Sequence, residues 1–456
     1  MLSPARSAAF DILLKVEQQK AYASELLNSA RLAHLSSADR ALCTELVMGV
    51  LRWQSRLDHT LADLVSKPVA KLDPEVLLAL RLAVYQIMFL QRIPAHASVN
   101  DSVELVKRKR KRSAAPFVNA VLRKLAANPI SAEPVLAPGP TTVPDLVQIY
   151  AHPLWLVDRW AVRYGLERAA AICAYDQKVP PTSIRLLDPS AERELMGAGI
   201  EISPGLLMQS ARRIVAGDVT STTAFRDGRI TIQDEGSQLV AHVVAAGNRI
   251  LDCCAAPGGK TILLAARNPN AQVIAAELHP QRASAMQARV AHLSSSLAVR
   301  DRIRIVAADV TRLPFATSFD SILADVPCSG TGTLARHPEI KWRLTLDDLA
   351  DLHSRQISIL TSALDRLSPG GCLLYCSCSL EPEENEEVVR EVLRQKPDFR
   401  LVDCKPELTR LRQSGELIWP DLDSLLDGSS VRTFPGIHPC DGFFAAMIMM
   451  PSVRQR

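Results

Sequence analysis

A chain of 456 residues, 47% hydrophobic and 22% charged, is too long for one core and has the balance of an ordinary globular protein of about three domains. Its formal net charge of +4 permits a nucleic-acid partner without requiring one, because phosphate binding depends on local clusters of Lys and Arg. Ten cysteines without C-x-x-C spacing exclude a disulfide scaffold and a zinc site, and the lack of a long apolar run or secretory signal excludes membrane and secreted classes, leaving a cytoplasmic protein with reduced thiols.

From Ser3 to about Ala127 apolar residues recur at helical spacing. Ser3 and Pro4 read as a cap and first-turn pair for a helix carrying Phe10, Leu13 and Leu14. Leu42, Leu46, Val47, Val50 and Leu51 continue the pattern, and Asp73-Pro74 opens a helix with Leu77, Leu80, Val84, Ile87 and Met88 on one side. Val99, Val103 and Val106, then Phe117, Val121, Leu122 and Leu125, complete a bundle over 1–127. Between these last two helices stand the consecutive basic residues Lys107 to Arg112. They read either as a solvated helix end that suits the negative pole of the helix dipole or as a phosphate contact, and the clustering of like charge favours the second. On its helix order and the phrases LVMGVLRW (46–53) and PFVNAVLRKL (116–125), the bundle resembles the NusB-like RNA-binding fold. A helical domain that binds another protein is the open alternative.

Residues 128–144 carry five prolines and no periodic pattern, as a stiff linker does. A small α+β module follows over 145–227: a helical stretch to Lys178 with Trp155 and Trp160 as core residues, then short strands punctuated by Gly and Pro. Its Arg185, Arg212 and Arg213 read either as phosphate contacts or as surface.

The region 228–456 alternates strand and helix signals. Strands are expected at 249–252, 272–277, 303–308, 321–325 and 371–378, with helices at 260–267, 280–293 and 346–367 between them, the rhythm of a doubly wound Rossmann-like sheet. A closing strand pair is expected in RTFPGIHPCDGFFAAMIMM. The first strand empties into LDCCAAPGGKT, where Cys254, Ala255, Ala256, Pro257, Gly258, Gly259 and Lys260 lead into a helix. Glycines at a helix N-terminus let backbone approach a ligand carboxylate or phosphate. The Walker phosphate loop and the G-x-G-x-x-G fingerprint are both absent. An S-adenosylmethionine site remains, with acids at successive strand ends: Asp252 and Glu277, the latter placed for the ribose hydroxyls, and Asp309 for the adenine amine. Lys260 reads either as surface or, from its place in the loop, as a contact to cofactor or substrate.

The segment FDSILADVPCSGTG (319–332) is an apolar strand delivering Asp325 and Cys328 to its carboxyl end. In YCSCSLEPEENEE, Cys376 and Cys378 share one face of the next strand while Ser377 faces the other, and Cys372 is a small core residue. Carbon 5 of a pyrimidine has no lone pair to be methylated. It must be activated by a thiolate added at carbon 6, an acid at ring nitrogen 3 and a base that removes the carbon-5 proton, and two cysteines with a carboxylate satisfy all three needs.

These motifs, with RHPEIKW and the terminal HPCDGFF, resemble those of the Sun/Fmu family of 16S ribosomal-RNA cytosine-C5 methyltransferases, in which a NusB-like bundle precedes the catalytic domain. The resemblance implies a multidomain fold of all-α bundle, small α+β module and Rossmann-like methyltransferase domain. It implies S-adenosyl-L-methionine as cofactor and a monomer acting on 16S ribosomal RNA. Cys378 is then the nucleophile, Cys328 the residue of product release, and Asp325 the acid or hydrogen-bond donor at nitrogen 3, with Arg282 and Lys341 as supporting contacts. Ser377 stands where threonine is common in the family, and Leu187 where asparagine often is. Two other functions stay open: a tRNA cytosine-C5 methyltransferase and a non-catalytic RNA-binding or assembly factor.

Overall fold

The computed structural model describes residues 2–128, 142–294 and 297–452, so most of the expected linker lies outside the described residues. Contacts divide the chain into two compact units, one of residues 1–179 with 334–343 and one of 180–333 with 344–456.

In the first unit, helices run over Pro4–Gln19, Ser37–Ala62, Pro74–Phe89, Ala95–Arg108 and Ala115–Ala127. Prolines open several of them, as suits a position whose N–H has no helical partner. Ser36 caps the second by accepting from Asp39 N, whereas Ser3 stands at its cap position without a side-chain bond. Phe10, Leu13, Leu46, Val50, Leu57, Leu80, Val84 and Leu122 meet in one core. Gly49 lets two helices cross closely: a Cβ there would lie 2.0 Å from Tyr85 Cζ. The Tyr85 hydroxyl in turn donates to Glu45 at 2.6 Å. Three shorter helices, Val143–Tyr150, Leu154–Tyr164 and Leu166–Asp176, gather with this unit and not with the strands that follow them. Trp160 is buried there as expected, whereas Trp155, also expected in the core, is only half-buried.

Much of the basic run is paired within the bundle. Lys107 bonds Glu104, Lys109 bonds Asp11 and Lys111 bonds Asp73, and Arg108 donates to Ser7. Arg110 and Arg112 are exposed, so the free positive charge of the run is smaller than its composition implies.

The unit is completed by residues 334–343, which enclose the RHPEIKW motif. Trp342 Nε1 donates to Leu51 O at 2.5 Å, Arg52 Nη2 to Ala335 O at 3.0 Å, and Ala23 N to Glu339 Oε1 at 3.1 Å. Lys341 is buried, and its Nζ donates to Arg52 O at 2.9 Å and Ala151 O at 2.8 Å. Burial lowers its ammonium to about 7, with Asp176 acting the other way. Lys341 is therefore a structural plug of the helical unit, a correction to the supporting contact expected of it: two of its three N–H donors hold backbone carbonyls, and the side chain is buried out of a substrate's reach.

The second unit opens with a four-stranded antiparallel sheet of order β2-β3-β1-β4, from β1 (Thr182–Leu186), β2 (Glu201–Pro204), β3 (Ala211–Ala216) and β4 (Ile230–Ile232). Its arginines are structural. Arg212 forks onto Glu192, Arg213 bonds buried Glu235 at 2.8 Å, and Arg185 is itself buried, its guanidinium lowered to about 9 by desolvation. The expectation of phosphate contacts or plain surface is corrected accordingly, because inward-facing positions of short strands can bury a long side chain among neighbouring carboxylates.

The large sheet contains β5 (Arg249–Cys253), β6 (Gln272–Glu277), β7 (Ile303–Ala307), β8 (Phe319–Asp325), β9 (Leu367–Ser377), β10 (Arg400–Val402), β11 (Leu426–Asp427), β12 (Ser430–Thr433) and β13 (Phe443–Met449). The order is β11-β12-β13-β9-β8-β5-β6-β7, with β10 also on β13. Strands β9-β8-β5-β6-β7 are parallel, and the expected closing pair, β12 and β13, adds antiparallel to β9. Chain order reverses between β5 and β8, and the carboxyl ends flanking such a switch point frame a ligand crevice.

Candidate active site

Strand β5 ends at the switch point, and the loop that leaves it is tightly built. Cys254 takes a left-handed conformation (φ 59°), Ala255 N donates to Ala276 O at 2.9 Å, and Gly258 (φ 99°) turns the chain into the Gly259–Arg267 helix. A Cβ on Gly258 would face the Met286 side chain at 3.1 Å and its backbone is left-handed, so glycine suits both constraints. Asp252 is buried beneath this loop and accepts from Thr261 Oγ1 at 2.5 Å. It is a fastener of the loop and not an open strand-end acid. Burial pushes its carboxyl up to about 7, with the nearby Asp325 charge adding to the shift and the Thr261 bond opposing it.

That shift has a sign. An acid at 3.8 in the unfolded chain and about 7 in the fold contributes stability that is full below about pH 4 and is lost as pH rises through 7. Asp252→Asn keeps the acceptor for Thr261 and removes the ionisation. At pH 8 the variant is expected to unfold with about 2–4 kcal/mol more stability than the parent, a gain that shrinks toward pH 5; equilibrium urea unfolding at the two pH values measures it.

Strand β8 delivers Asp325 opposite Cys376 of β9 in the parallel ladder. Lys260 Nζ donates to Asp325 Oδ2 at 2.8 Å, and Cys376 Sγ donates to Oδ1 at 3.3 Å. Burial works against the charge on Lys260, but the carboxylate of Asp325 outweighs it and holds the ammonium above the ordinary lysine value. The same ammonium lies 5.4 Å from the centre of the Phe443 ring. Lys260 is thus drawn inward, away from the surface. Cys376 belongs to the core face with Cys372 and Leu374, and burial keeps its thiol well above the usual range.

Beyond the strand ends, Cys328 and Cys378 approach to 3.1 Å between sulfurs, one S–H donating to the other. This bond first, then burial, raises the Cys328 thiol well above its ordinary value. Backbone geometry holds the two loops together: Gly332 N donates to Cys378 O at 2.9 Å and Gly442 N to Gly332 O at 2.8 Å. A Cβ on Gly332 would stand 2.3 Å from Gly442 O, which explains why glycines occupy both the SGTG and CDGFF segments.

Under the cysteines lies a network that sequence reasoning did not identify. Buried Glu384 accepts from Ser329 N at 2.8 Å and Gln356 Nε2 at 3.0 Å, and from the hydroxyls of Ser329 and Ser379. Its neighbour Asn385 accepts from Ser377 Oγ at 2.5 Å and donates to Ser379 O at 2.9 Å. Gln356 also donates to Pro327 O at 2.9 Å. The acidic residues of the PEENE stretch were the available signal, since an acid beside a run of small hydroxyl residues can bridge two loops.

The other expected cofactor residues lie along the same carboxyl edge. Glu277 ends β6, largely buried, and accepts from His279 N at 2.9 Å. Arg282 is mostly exposed, 3.9 Å from Glu277. Asp309, beyond β7, uses Oδ1 to cap its own turn, accepting from Thr311 N at 2.9 Å and Thr311 Oγ1 at 2.8 Å, bonds that lower its carboxyl. Of the loop residues, Lys260 reaches Asp325, and Cys328 meets Cys378, whereas Arg282 approaches only Glu277 and Asp309 bonds its own turn.

Comparison with known proteins follows the same division of the chain. The family described as 16S rRNA methyltransferase RsmB/F matches residues 242–449, and the NusB family matches 3–127. The probable ribosomal RNA small subunit methyltransferase B of Bacillus subtilis is 33% identical, over 96% of this chain and 97% of the relative. Ribosomal RNA small subunit methyltransferase B of Pseudomonas putida is 34% identical, over 88% of this chain and 92% of its own length. The crystal structure of a protein named PH0851 shares the fold, with a TM-score of 0.76 and 23% identity over 98% of this chain and 99% of that one. On this full-length similarity and the two matched regions, the chain belongs to the RsmB/F family of 16S rRNA methyltransferases, with a NusB-family domain at its N-terminus.

Proposed function

We propose that this protein transfers a methyl group from S-adenosyl-L-methionine to carbon 5 of a cytosine in 16S ribosomal RNA, through a covalent bond between Cys378 and carbon 6 of the base. The observation that carries the reading is the Cys328–Cys378 pair, 3.1 Å apart beside the Asp325–Lys260 ion pair. No helix among the described residues is long and apolar enough to cross a membrane. The crevice residues fit the cofactor. The uncapped N-terminus of the Gly259–Arg267 helix suits a carboxylate, and the Glu277 carboxylate at the end of β6 suits a ribose diol. When bound, this cofactor supplies an electrophilic methyl group.

The chain's own residues do the rest. The base leaves its stack to reach the thiol. Cys378 adds as thiolate to carbon 6 while the Asp325–Lys260 pair supplies a proton or hydrogen bond at nitrogen 3, so electron density shifts to carbon 5, where the methyl group is received. The proton on carbon 5 then passes to Cys328 or through it, the carbon–carbon double bond re-forms, and Cys378 is expelled. Timing follows from the sulfur pair. The bond to Cys378, ahead of burial, holds the proton on Cys328, and a Cys378 sulfur alkylated by the base is a weaker acceptor for it than a thiolate. Adduct formation therefore loosens the first of these two holds on the Cys328 proton.

The test is to incubate the protein with methyl-labelled cofactor and, in separate reactions, unmodified 16S RNA and unmodified transfer RNA, then digest each RNA and separate its nucleosides. Label is expected in 5-methylcytidine. Label in another nucleoside overturns the carbon-5 assignment, and label in transfer RNA alone overturns the substrate.

A further inference from the structure

The Gly259–Arg267 helix starts in the crevice without a side-chain cap, so the N–H groups of its first turn face outward as donors with partial positive charge. A helix end alone defines no site, but a second group stands against it. Gln233, just past β4, is nine-tenths buried. Its amide lies alongside Gly259: a Cβ there would be 3.8 Å from Gln233 Cδ, 3.9 Å from Nε2 and 4.0 Å from Oε1. Nε2 donates to Ser237 Oγ at 3.1 Å, which orients the amide. Among the described residues, Oε1 is left buried with no hydrogen-bond partner.

A buried carbonyl oxygen needs an N–H or O–H donor, because leaving it unpaired forfeits its hydration without return. The helix end beside it needs an acceptor, best an anion. A single ligand meets both demands if it carries an anion and an N–H or O–H donor a few bonds apart, and the proposed methyl donor carries such a pair in its amino-acid half. A base amine alone would satisfy Oε1 and leave the helix end unmet. An α-amino acid zwitterion satisfies both.

We infer that Gln233 and the N-terminus of the Gly259–Arg267 helix seat the amino-acid half of the methyl donor, with Gln233 Oε1 accepting a hydrogen bond from its α-ammonium. The inference rests on the proposed cofactor and adds a residue in β4's exit, outside the loop expected to bind it. The adenosyl half rests elsewhere, so a ligand lacking the amino acid should be indifferent to Gln233.

Calorimetric titration of the full chain with S-adenosylhomocysteine and with 5′-methylthioadenosine separates the halves. Gln233→Leu is expected to weaken S-adenosylhomocysteine about tenfold or more, as for a lost hydrogen bond to a charged group, and to leave methylthioadenosine unchanged. Gln233→Glu, which keeps an oxygen acceptor, is expected to retain S-adenosylhomocysteine, and Gln233→Met repeats the deletion if the Leu variant does not fold. Equal weakening of both ligands, no change in either, or loss of RNA binding alone overturns the inference. Failure of the parent protein to bind either ligand would instead sink the cofactor reading itself.

Discussion

Cys328→Ala protein mixed with 16S RNA and S-adenosylmethionine is expected to accumulate a covalent protein–RNA adduct that persists through denaturing electrophoresis, whereas Cys378→Ala forms none. Both variants should lose turnover by at least about a thousandfold, for opposite reasons. On the proposed mechanism, carbon 5 is never activated without Cys378. Without Cys328 the activated base is methylated but the carbon-5 proton has no local acceptor, so the thioether cannot leave. The sulfurs are close enough to share one proton, which makes the two side chains a unit whose deletions are not additive. An adduct in Cys378→Ala and none in Cys328→Ala would exchange the two roles.

Glu384 should be nearly as consequential, though it lies beneath the cysteines. Glu384→Ala strips acceptors from Ser329 N–H, the Ser329 and Ser379 hydroxyls and the Gln356 amide, all within a dry network. The expected cost is about 3–5 kcal/mol in urea unfolding, with a fall in kcat of about a hundredfold or more as the cysteine loops drift. Glu384→Gln should recover most of the stability. An amide placed with its oxygen toward Ser329 N and Gln356 turns its nitrogen to the two hydroxyls, which can rotate to accept. Equal losses for Ala and Gln would show that the charge, and not the hydrogen-bond pattern, holds the loops.

The parallel strands were legible as apolar runs, of which β5, β6 and β8 are closed by an acid or a cysteine: the expected 272–277 and 249–252 agree with Gln272–Glu277 and Arg249–Cys253 to within a residue, whereas β9 starts at Leu367 and not at the expected 371. The face shared by Cys376 and Cys378 also followed from the period-2 alternation of side chains, Cys376 lying in the core and Cys378 packing against the same cluster. What sequence reading could not supply was burial and long-range partnership. Asp252 reads like Glu277 in sequence, yet Thr261 folds over it. Arg185 looks like surface until a sheet closes around it. Glu384 meets Ser329 across 55 residues and Gln356 across 28, distances at which no local pattern signals a bond. Lys341 was misread for the same reason, since a lysine beside a catalytic motif looks functional when its carbonyl partners lie far away in the chain.

Those carbonyls also change what counts as a folding unit. Lys341 reaches Ala151 O across 190 residues and Arg52 O across 289. A bundle of short-range helical contacts would ordinarily be a fast, self-sufficient folder. Here its last piece is threaded back only after β1 to β8 have been synthesised, so completing it closes a very long loop. A fragment that stops at residue 179 therefore omits part of its own interior. The gene order of this protein reads as one domain after another, but its helical unit is noncontiguous, and its maturation is coupled in time to synthesis of the enzyme it precedes.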